Sequence, residues 1–151
     1  MLFQRINRTD PEKIFIIGYN SSADAWSNGY VVRWDYTTDC NGVGMEKPAA
    51  RGACGVGLAA IAGVCAESIA SSAYGLVQVW GYHSAVRVKS STTNTGAVAK
   101  GSGLCGCVTS YYALENVPDT GTHANTYCKG IALAAQAVYT TTATAVFIKC
   151  L

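Results

Sequence analysis

The stretch AGVCAESIASSAYGLVQVWGY, residues 62–82, decides the fold that we predict for this chain. Two apolar runs flank the turn formers Ser71-Ser72, and both are rich in the β-branched and aromatic residues that favour strands. Glycine and serine interrupt the runs where a hairpin turns or bends. The pattern predicts a central antiparallel hairpin (residues 62–82) against which the rest of the chain packs.

Further strands are predicted from compact or alternating apolar runs. In residues 30–36, which follow the turn signal Asn28-Gly29, alternate side chains share a face, as in a half-buried antiparallel strand. The Gly-rich residues 49–66 indicate a bent strand along which another backbone comes close. Strands are also expected over residues 13–20, 83–89, 104–114 and 143–151, with Val86 and Val88 inward in the second of them, whereas residues 129–138 are compatible with a short helix. We therefore predict an all-β fold built of antiparallel strands around the central hairpin.

The domain organisation is simple, because 151 residues are enough for about one domain. Residues 1–13 are polar, lack periodicity and contain Asp10-Pro11, which predicts an extended N-terminal arm that orders on a partner. Residues 14–151 are then the single β domain. The segments that begin at Gly63 and Gly130 share a weak pattern: a glycine, an apolar strand, a short polar turn and a second apolar strand. The last hairpin is therefore expected to pack beside the central one or to pair with it. Two such dissimilar copies do not make a repeat protein.

Composition limits the class of partner. Half of the chain is hydrophobic but only 13% is charged, against roughly 25% in an ordinary soluble domain, which indicates a partner surface or a self-association face. The net charge of +2 comes from scattered residues, unlike the basic face of a nucleic-acid binder. We expect no membrane span, and the polar first dozen residues lack the apolar stretch of a signal peptide. The seven cysteines are then expected to be reduced thiols.

Three kinds of chemistry are alternatives to structural roles for the cysteine, histidine and carboxylate side chains. A zinc site is one alternative, but Cys-x-Cys is not the usual zinc spacing. A cysteine nucleophile with a histidine base is another, and a pair of carboxylates is the third. The residues concerned are Cys105, Cys107, His123 and Cys128 for zinc, Cys54 with His83 or His123 for the nucleophile, and Asp35, Asp39, Glu46 and Glu67 for the carboxylates. Small buried thiols and solvated turn carboxylates are favoured throughout, so the prediction is no enzyme, no metal and no cofactor.

The central hairpin contains the most informative polar residue. Gln78 lies inside an apolar strand and must find hydrogen-bond partners or incur a desolvation penalty. Tyr74, Trp80 and Tyr82 share its parity, which makes a face of three aromatics and one amide. This composition is enriched at protein interfaces, and a plain core face is the equally weighted alternative.

Several of these motifs together resemble the head decoration, or cement, proteins of tailed bacteriophages. The motifs are Asn28-Gly-x-Val31-Val32, Thr38-Asp-x-Asn-Gly42-Val43, Lys47-Pro48, Ala62-Gly-Val and Ala73-Tyr-Gly-Leu-Val-Gln-Val-x-Gly81. The resemblance covers about residues 14–90, and the Tyr-Gly-x-Val-Gln-x-x-Gly run is its most distinctive part. It implies a small β-barrel or β-tulip domain that sits on an icosahedral shell, commonly as trimers, and clamps neighbouring capsomers. The seven cysteines and residues 90–103 depart from the family pattern.

The sequence thus predicts a structural virion protein on the exterior of a phage capsid, made in the host cytoplasm. Its expected partners are the major capsid protein and further copies of itself in a homotrimer, with no nucleic acid and no membrane. The expected interface residues are Arg5, Arg8, Gln78, Trp80 and Tyr82. The alternative is a head-fibre or spike module that binds a receptor or carbohydrate through exposed aromatics among Trp26, Trp34, Tyr111 and Tyr112.

Overall fold

The structure is a computed structural model, and it describes residues 12–38, 42–48, 60–90, 97–106, 112–116, 128–137 and 141–150. These residues form nine strands: β1 Lys13–Asn20, β2 Val31–Trp34, β3 Gly44–Glu46, β4 Ile61–Cys65, β5 Tyr74–Lys89, β6 Gly103–Gly106, β7 Leu114–Asn116, β8 Gly130–Ala132 and β9 Thr141–Lys149. All of them belong to one mostly antiparallel sheet in the order β1-β3-β2-β4-β5-β7-β6-β8-β9. The all-β prediction is confirmed. Over the described ranges there is no helix long and apolar enough to cross a membrane.

The sheet is arranged around β5, which is 16 residues long. Its first half pairs with β1 and its second half with β9, both antiparallel. Trp80 and Gly81 pair with both neighbours, so β1 and β9 lie on opposite edges of β5. The predicted central hairpin is confirmed, because β4 pairs antiparallel with β5 at Val64↔Gln78 and Cys65↔Val77. Its second strand, predicted to end at Tyr82, instead continues to Lys89, since one partner strand takes over where the other ends.

The ten strand pairings fall into two equal sets that share β5, which we call the first unit (β1–β5) and the second unit (β5–β9). In each unit the first strand pairs antiparallel with the fifth and parallel with the third. The second strand pairs antiparallel with the third and fourth, and the fourth with the fifth. Even the isolated bridges correspond, Trp26↔Ile69 in the first unit and Val98↔Gln136 in the second. The expected barrel is therefore two partial rings, and the predicted pairing of the last hairpin with the central one is confirmed.

Two glycines mark the equivalent point of each unit, where the fourth strand crosses the fifth. A Cβ on Gly63 would lie 2.5 Å from the carbonyl oxygen of Gln78, and one on Gly130 would lie 2.8 Å from Cγ1 of Val146. Both distances are too short for a real side chain, so only glycine lets these strands approach. The close approach predicted within residues 49–66 is confirmed at Gly63, while residues 49–59 lie outside the described part of the chain.

The interior divides into two clusters of buried side chains, one for each unit. The first contains Trp26, Val32, Met45, Ala62, Cys65, Ile69, Val77 and Tyr112, and the second contains Val31, Ile61, Val64, Val86, Val88, Val98, Leu104, Leu114, Ala132, Val146 and Ile148. β2 and β4 supply residues to both clusters. The prediction that β2 is half-buried is therefore wrong, because Val31 on its other face is also fully covered. The inward Val86 and Val88 predicted for residues 83–89 are confirmed.

Two other assignments change. The possible helix over residues 129–138 contains the strand β8, which pairs with β6 and β9. The single strand predicted over residues 104–114 is instead part of two antiparallel strands, β6 and β7, which pair at Cys105↔Glu115. The predicted arm lies outside the described residues apart from Glu12 and Lys13, and Lys13 already belongs to β1.

Asp35 closes the turn that follows β2. Its Oδ1 accepts hydrogen bonds from the backbone N–H groups of Thr38 (2.9 Å) and Thr37 (3.2 Å) and from the Thr37 hydroxyl, and its Oδ2 accepts one from Ser21. The bond from the Thr38 backbone contributes most to holding the pKa of Asp35 below its usual value, against the opposite effect of burial. The carboxylate is thus a structural turn residue.

Asp35→Ala is expected to cost about 2 kcal/mol at pH 7, because a charged acceptor of several hydrogen bonds is lost. A depressed folded-state pKa stabilises the fold above the unfolded pKa of about 3.9, and this contribution disappears as pH falls through the folded value. Urea denaturation at pH 7 and at pH 3 should therefore show a smaller difference between the two proteins in acid. A difference that does not change with pH would contradict this role.

Candidate interaction surface

Large apolar side chains are exposed together on the outer face of β1 and β5. Ile17 is 67% exposed, Tyr74 66%, Leu76 42% and Phe15 40%; we call these four residues the β1–β5 patch. Ile17 lies opposite Leu76 in the ladder, and Tyr19 lies opposite Tyr74 with ring centroids 5.0 Å apart. Residues directly opposite each other share a face of the sheet, so the patch is continuous. It is an apolar surface carried by two hydrogen-bonded strands.

The rim of the patch is fixed by a carboxylate. Glu67, in the connection between β4 and β5, accepts a hydrogen bond from the backbone N–H of Leu76 at 2.8 Å through its Oε1. The neighbouring carbonyl of Leu76 accepts a bond from the backbone of Ala66. These bonds hold the start of β5 in place beyond the short pairing with β4. Glu67, one of the carboxylates considered for catalysis, thus has a structural bond here.

The second unit has a different outer face over its described residues. Between β5 and β9 the outward pairs include Tyr82↔Phe147, whose rings are half-buried, together with Arg87↔Ala143 and Lys89↔Thr141, which are small or charged. No large apolar side chain described on this face is as exposed as those of the patch, so the topology does not require exposed large apolar residues there. The β1–β5 patch is therefore a property of the first unit, and binding to a partner is the simplest reason for it.

The predicted interface residues of the central hairpin lie beside this patch rather than within it. Gln78 is only 1% exposed, and its Nε2 donates to the carbonyls of Trp80 (3.0 Å) and Tyr82 (3.1 Å). Trp80 is half-buried and packs edge-on against Phe147, with centroids 5.2 Å apart. The surface of the hairpin open to a partner thus comes from Trp80 and Tyr82, and Gln78 lies beneath it. Arg5 and Arg8 lie outside the described residues.

Sequence reasoning did not find the patch. The sequence predicts a compact apolar strand over Ile14-Phe15-Ile16-Ile17 without assigning its faces, and of this run Ile16 packs against the first cluster while Phe15 and Ile17 face outward. Alternation was a usable signal, because Ile16 and Gly18 share the inner face and Gly18 lies opposite Gly75.

The alternative of a cysteine nucleophile gains no support from His83. The ring is 7% exposed, its Nδ1 accepts a hydrogen bond from the backbone of Ala85 at 3.1 Å, and it is also bonded to the backbone of Cys65. Burial, with a smaller effect of Lys13, lowers the pKa of His83. Burial also raises the pKa of Cys65 to about 12. His83 is thus a core histidine held by backbone bonds, and Cys54 lies outside the described residues.

The other chemical alternatives are described only in part. Within the described ranges no three His, Cys, Asp or Glu side chains group closely enough to hold a metal ion. Cys105 is buried and Cys128 is half-buried, with its Sγ donating to the carbonyl of Gly130 at 2.9 Å, whereas Cys107 and His123 lie outside those ranges. Glu46 forms a 2.9 Å ion pair with Arg33, and Asp39 is not described. The described members therefore have structural positions.

The aromatic residues considered for sugar binding are mostly part of the core. Trp26 is 1% exposed and its indole N–H donates to Ser22 at 2.9 Å. Tyr112 is 8% exposed and its hydroxyl donates to Asp24. Trp34 packs against the first cluster, and Tyr111 is not described. The expectation that Trp26 or Tyr112 is exposed for a glycan is wrong.

The fold and surface define a β domain of two fused units, one of which carries an apolar patch. No protein-family model and no curated protein sequence was found to match the chain. A function must therefore be argued from the surface, the fold and the sequence motifs.

Proposed function

We propose that the protein is a capsid decoration protein, which binds the outer surface of an icosahedral phage head and stabilises contacts between major capsid protein subunits. The observation that carries the proposal is the β1–β5 patch, a group of exposed apolar side chains in one unit that has no equally exposed counterpart in the described part of its structural duplicate. The low charged fraction of 13% and the decoration-protein motifs in residues 14–90 support it. The arm that contains Arg5 and Arg8 is proposed to add a second contact.

The size of the patch favours many weak contacts over one strong contact. Its four side chains expose on the order of 400 Å², which lies within the range of functional patches on single proteins. A stable pairwise complex usually buries about 800 Å² on each partner. One patch therefore gives modest affinity, and a homotrimer on a repeating shell would multiply it through effective concentration. Trp80 and Tyr82 are the proposed contacts between copies.

A lysine in the middle of the patch is expected to weaken shell binding at least about tenfold, which corresponds to about 1.4 kcal/mol. The variant is Ile17→Lys, because Ile17 is the most exposed member of the patch and its replacement leaves the interior unchanged. Binding is measured by co-sedimentation with shells assembled from the major capsid protein alone.

The matched control is Thr142→Lys, which adds the same charge to an exposed position of β9 in the second unit. Both variants should unfold within about 0.5 kcal/mol of the parent. Equal shell binding by the parent and the Ile17 variant would exclude the patch as the contact surface. A parent protein that does not sediment with shells at all would overturn the proposed function itself.

A further inference from the structure

A pocket of about 180 Å³ adjoins the β1–β5 patch, and Phe15 belongs to both. Its polar lining comes from three separate parts of the first unit and the adjoining half of β5. Lys13 lies at the start of β1, Asn28 in the turn before β2, and Gln78 and Ser84 on β5. The pocket therefore depends on the tertiary fold and not on one loop.

Gln78 is the notable member of this lining because only one end of its side-chain amide is bonded within the described part of the chain. Its Nε2 makes two hydrogen bonds to backbone carbonyls, whereas no described residue donates to its Oε1. Gln136, the buried amide of the second unit, is bonded at both ends, since its Nε2 donates to Val88 and its Oε1 accepts from Thr144. Because Gln78 lines the pocket, its Oε1 is an acceptor that a ligand there can use.

The remaining polar groups determine which ligand fits. Lys13 and Ser84 offer donors, and His83 also lines the pocket, with its Nδ1 already bonded to the backbone N–H of Ala85. The described lining contains no Asp or Glu. A primary carboxamide satisfies both requirements, because its NH₂ donates to Oε1 and its oxygen accepts from the donors. A carboxylate has no donor and would face the Gln78 oxygen.

The size and position of the pocket favour a side chain of a protein partner. At about 30 Å³ for each water of liquid volume, the space equals roughly six waters, enough for the end of a side chain. Phe15 connects the pocket directly with the apolar patch, so a polypeptide lying on the patch can place one residue in it. Interfaces commonly combine an apolar core with a few well-placed polar groups.

We propose that this pocket binds the carboxamide of an Asn or Gln side chain, presented by the polypeptide that covers the β1–β5 patch. The identity of that polypeptide as a shell subunit rests on the proposed function, whereas the chemistry of the pocket does not.

The proposal is tested by NMR titration of the full-length, isotope-labelled protein with three probes. These are acetyl-glutamine-N-methylamide, acetyl-glutamate-N-methylamide and methyl α-glucoside. The expected result is a saturable shift of the Gln78 side-chain NH₂ and the Ser84 backbone signal by the glutamine probe, with the glutamate probe at least tenfold weaker. No shift by the glutamine probe overturns the proposal, as does tighter binding of glutamate, which indicates an anion site at Lys13, or of the glucoside, which indicates a glycan site.

Two sets of variants make the assignment specific. Gln78→Leu should abolish the shift at Ser84, while Gln136→Leu, which removes a buried amide from the second unit, should retain it. If Gln78→Leu does not fold, the double variant Lys13→Met with Ser84→Ala changes only exposed positions and should weaken the glutamine probe at least tenfold. Unchanged binding in that variant contradicts the assignment. The probes are small molecules that need no shell subunit. Loss of shell binding and loss of carboxamide binding in the pocket are therefore observed separately.

Discussion

Gly81→Ala is expected to lower the free energy of unfolding by about 4 kcal/mol, near the upper end for a single substitution. Gly81 has φ +97° in the middle of β5, at the point where β1 and β9 both pair with the strand. A residue with a side chain is strained by roughly 1–2 kcal/mol at such a positive φ. A Cβ would also overlap the carbonyl oxygen of Glu12, which precedes β1, so the strand pair must separate locally.

Gly101→Ala is the matched control for this substitution. Gly101 has nearly the same backbone angle, φ +91°, but no described atom lies within 4 Å of the position of its Cβ. Its cost should be only that of the positive φ, roughly 1–2 kcal/mol. Urea denaturation of both variants separates the cost of the overlap between the Cβ and Glu12 from the cost of the positive φ. Equal losses of stability would show that the approach of Glu12 to β5 is unimportant.

Trp26→Ala is expected to cost about 4 kcal/mol, in the usual range for a buried tryptophan replaced by alanine. Trp26 is the largest side chain of the first cluster and is 1% exposed. It also bridges to Ile69 through two backbone hydrogen bonds of 2.8 and 2.9 Å, which the substitution leaves in place. The loss is therefore that of packing, together with the bond from its indole N–H to Ser22.

Trp80→Ala provides the comparison in the same denaturation experiment. Trp80 is half-buried and its main described ring contact is Phe147, so the expected loss is about 1–2 kcal/mol, as for a partly exposed aromatic pair. If Trp80 also contacts another copy of the chain, its replacement should in addition shift the sedimentation of the protein toward the monomer. A larger loss of stability for the Trp80 variant than for the Trp26 variant would contradict the burial of Trp26 in the first cluster and the partial exposure of Trp80.

The sequence predicts the features that depend on residues close to each other along the chain. Alternation in residues 83–89 identified the buried Val86 and Val88, and the glycine-rich segment identified the approach of Gly63 to β5. The two faces of β2 were not foreseen, because burial of Val31 requires the second unit to cover it. A pattern within one strand cannot show what lies on its other side.

The full extent of the duplication and the patch escaped prediction for a related reason. The weak pattern shared by the segments at Gly63 and Gly130 predicted that the two hairpins lie together, but the core side chains of the two units differ: Trp26 and Ile69 form the bridge in one, Val98 and Gln136 in the other. The glycines Gly63 and Gly130 keep the same residue at the equivalent crossing. The exposure of Phe15 and Ile17 depends on what covers β1, which the pattern of a single strand does not show.

The copy number of the protein in purified particles is the direct test of the proposed place on a phage head. Quantitative mass spectrometry of purified virus particles from the source of the chain compares the amount of this protein with that of the major capsid protein. A structural role predicts a copy number of the same order as that of the shell subunits. Absence from the particles, or only a few copies in each, would contradict it.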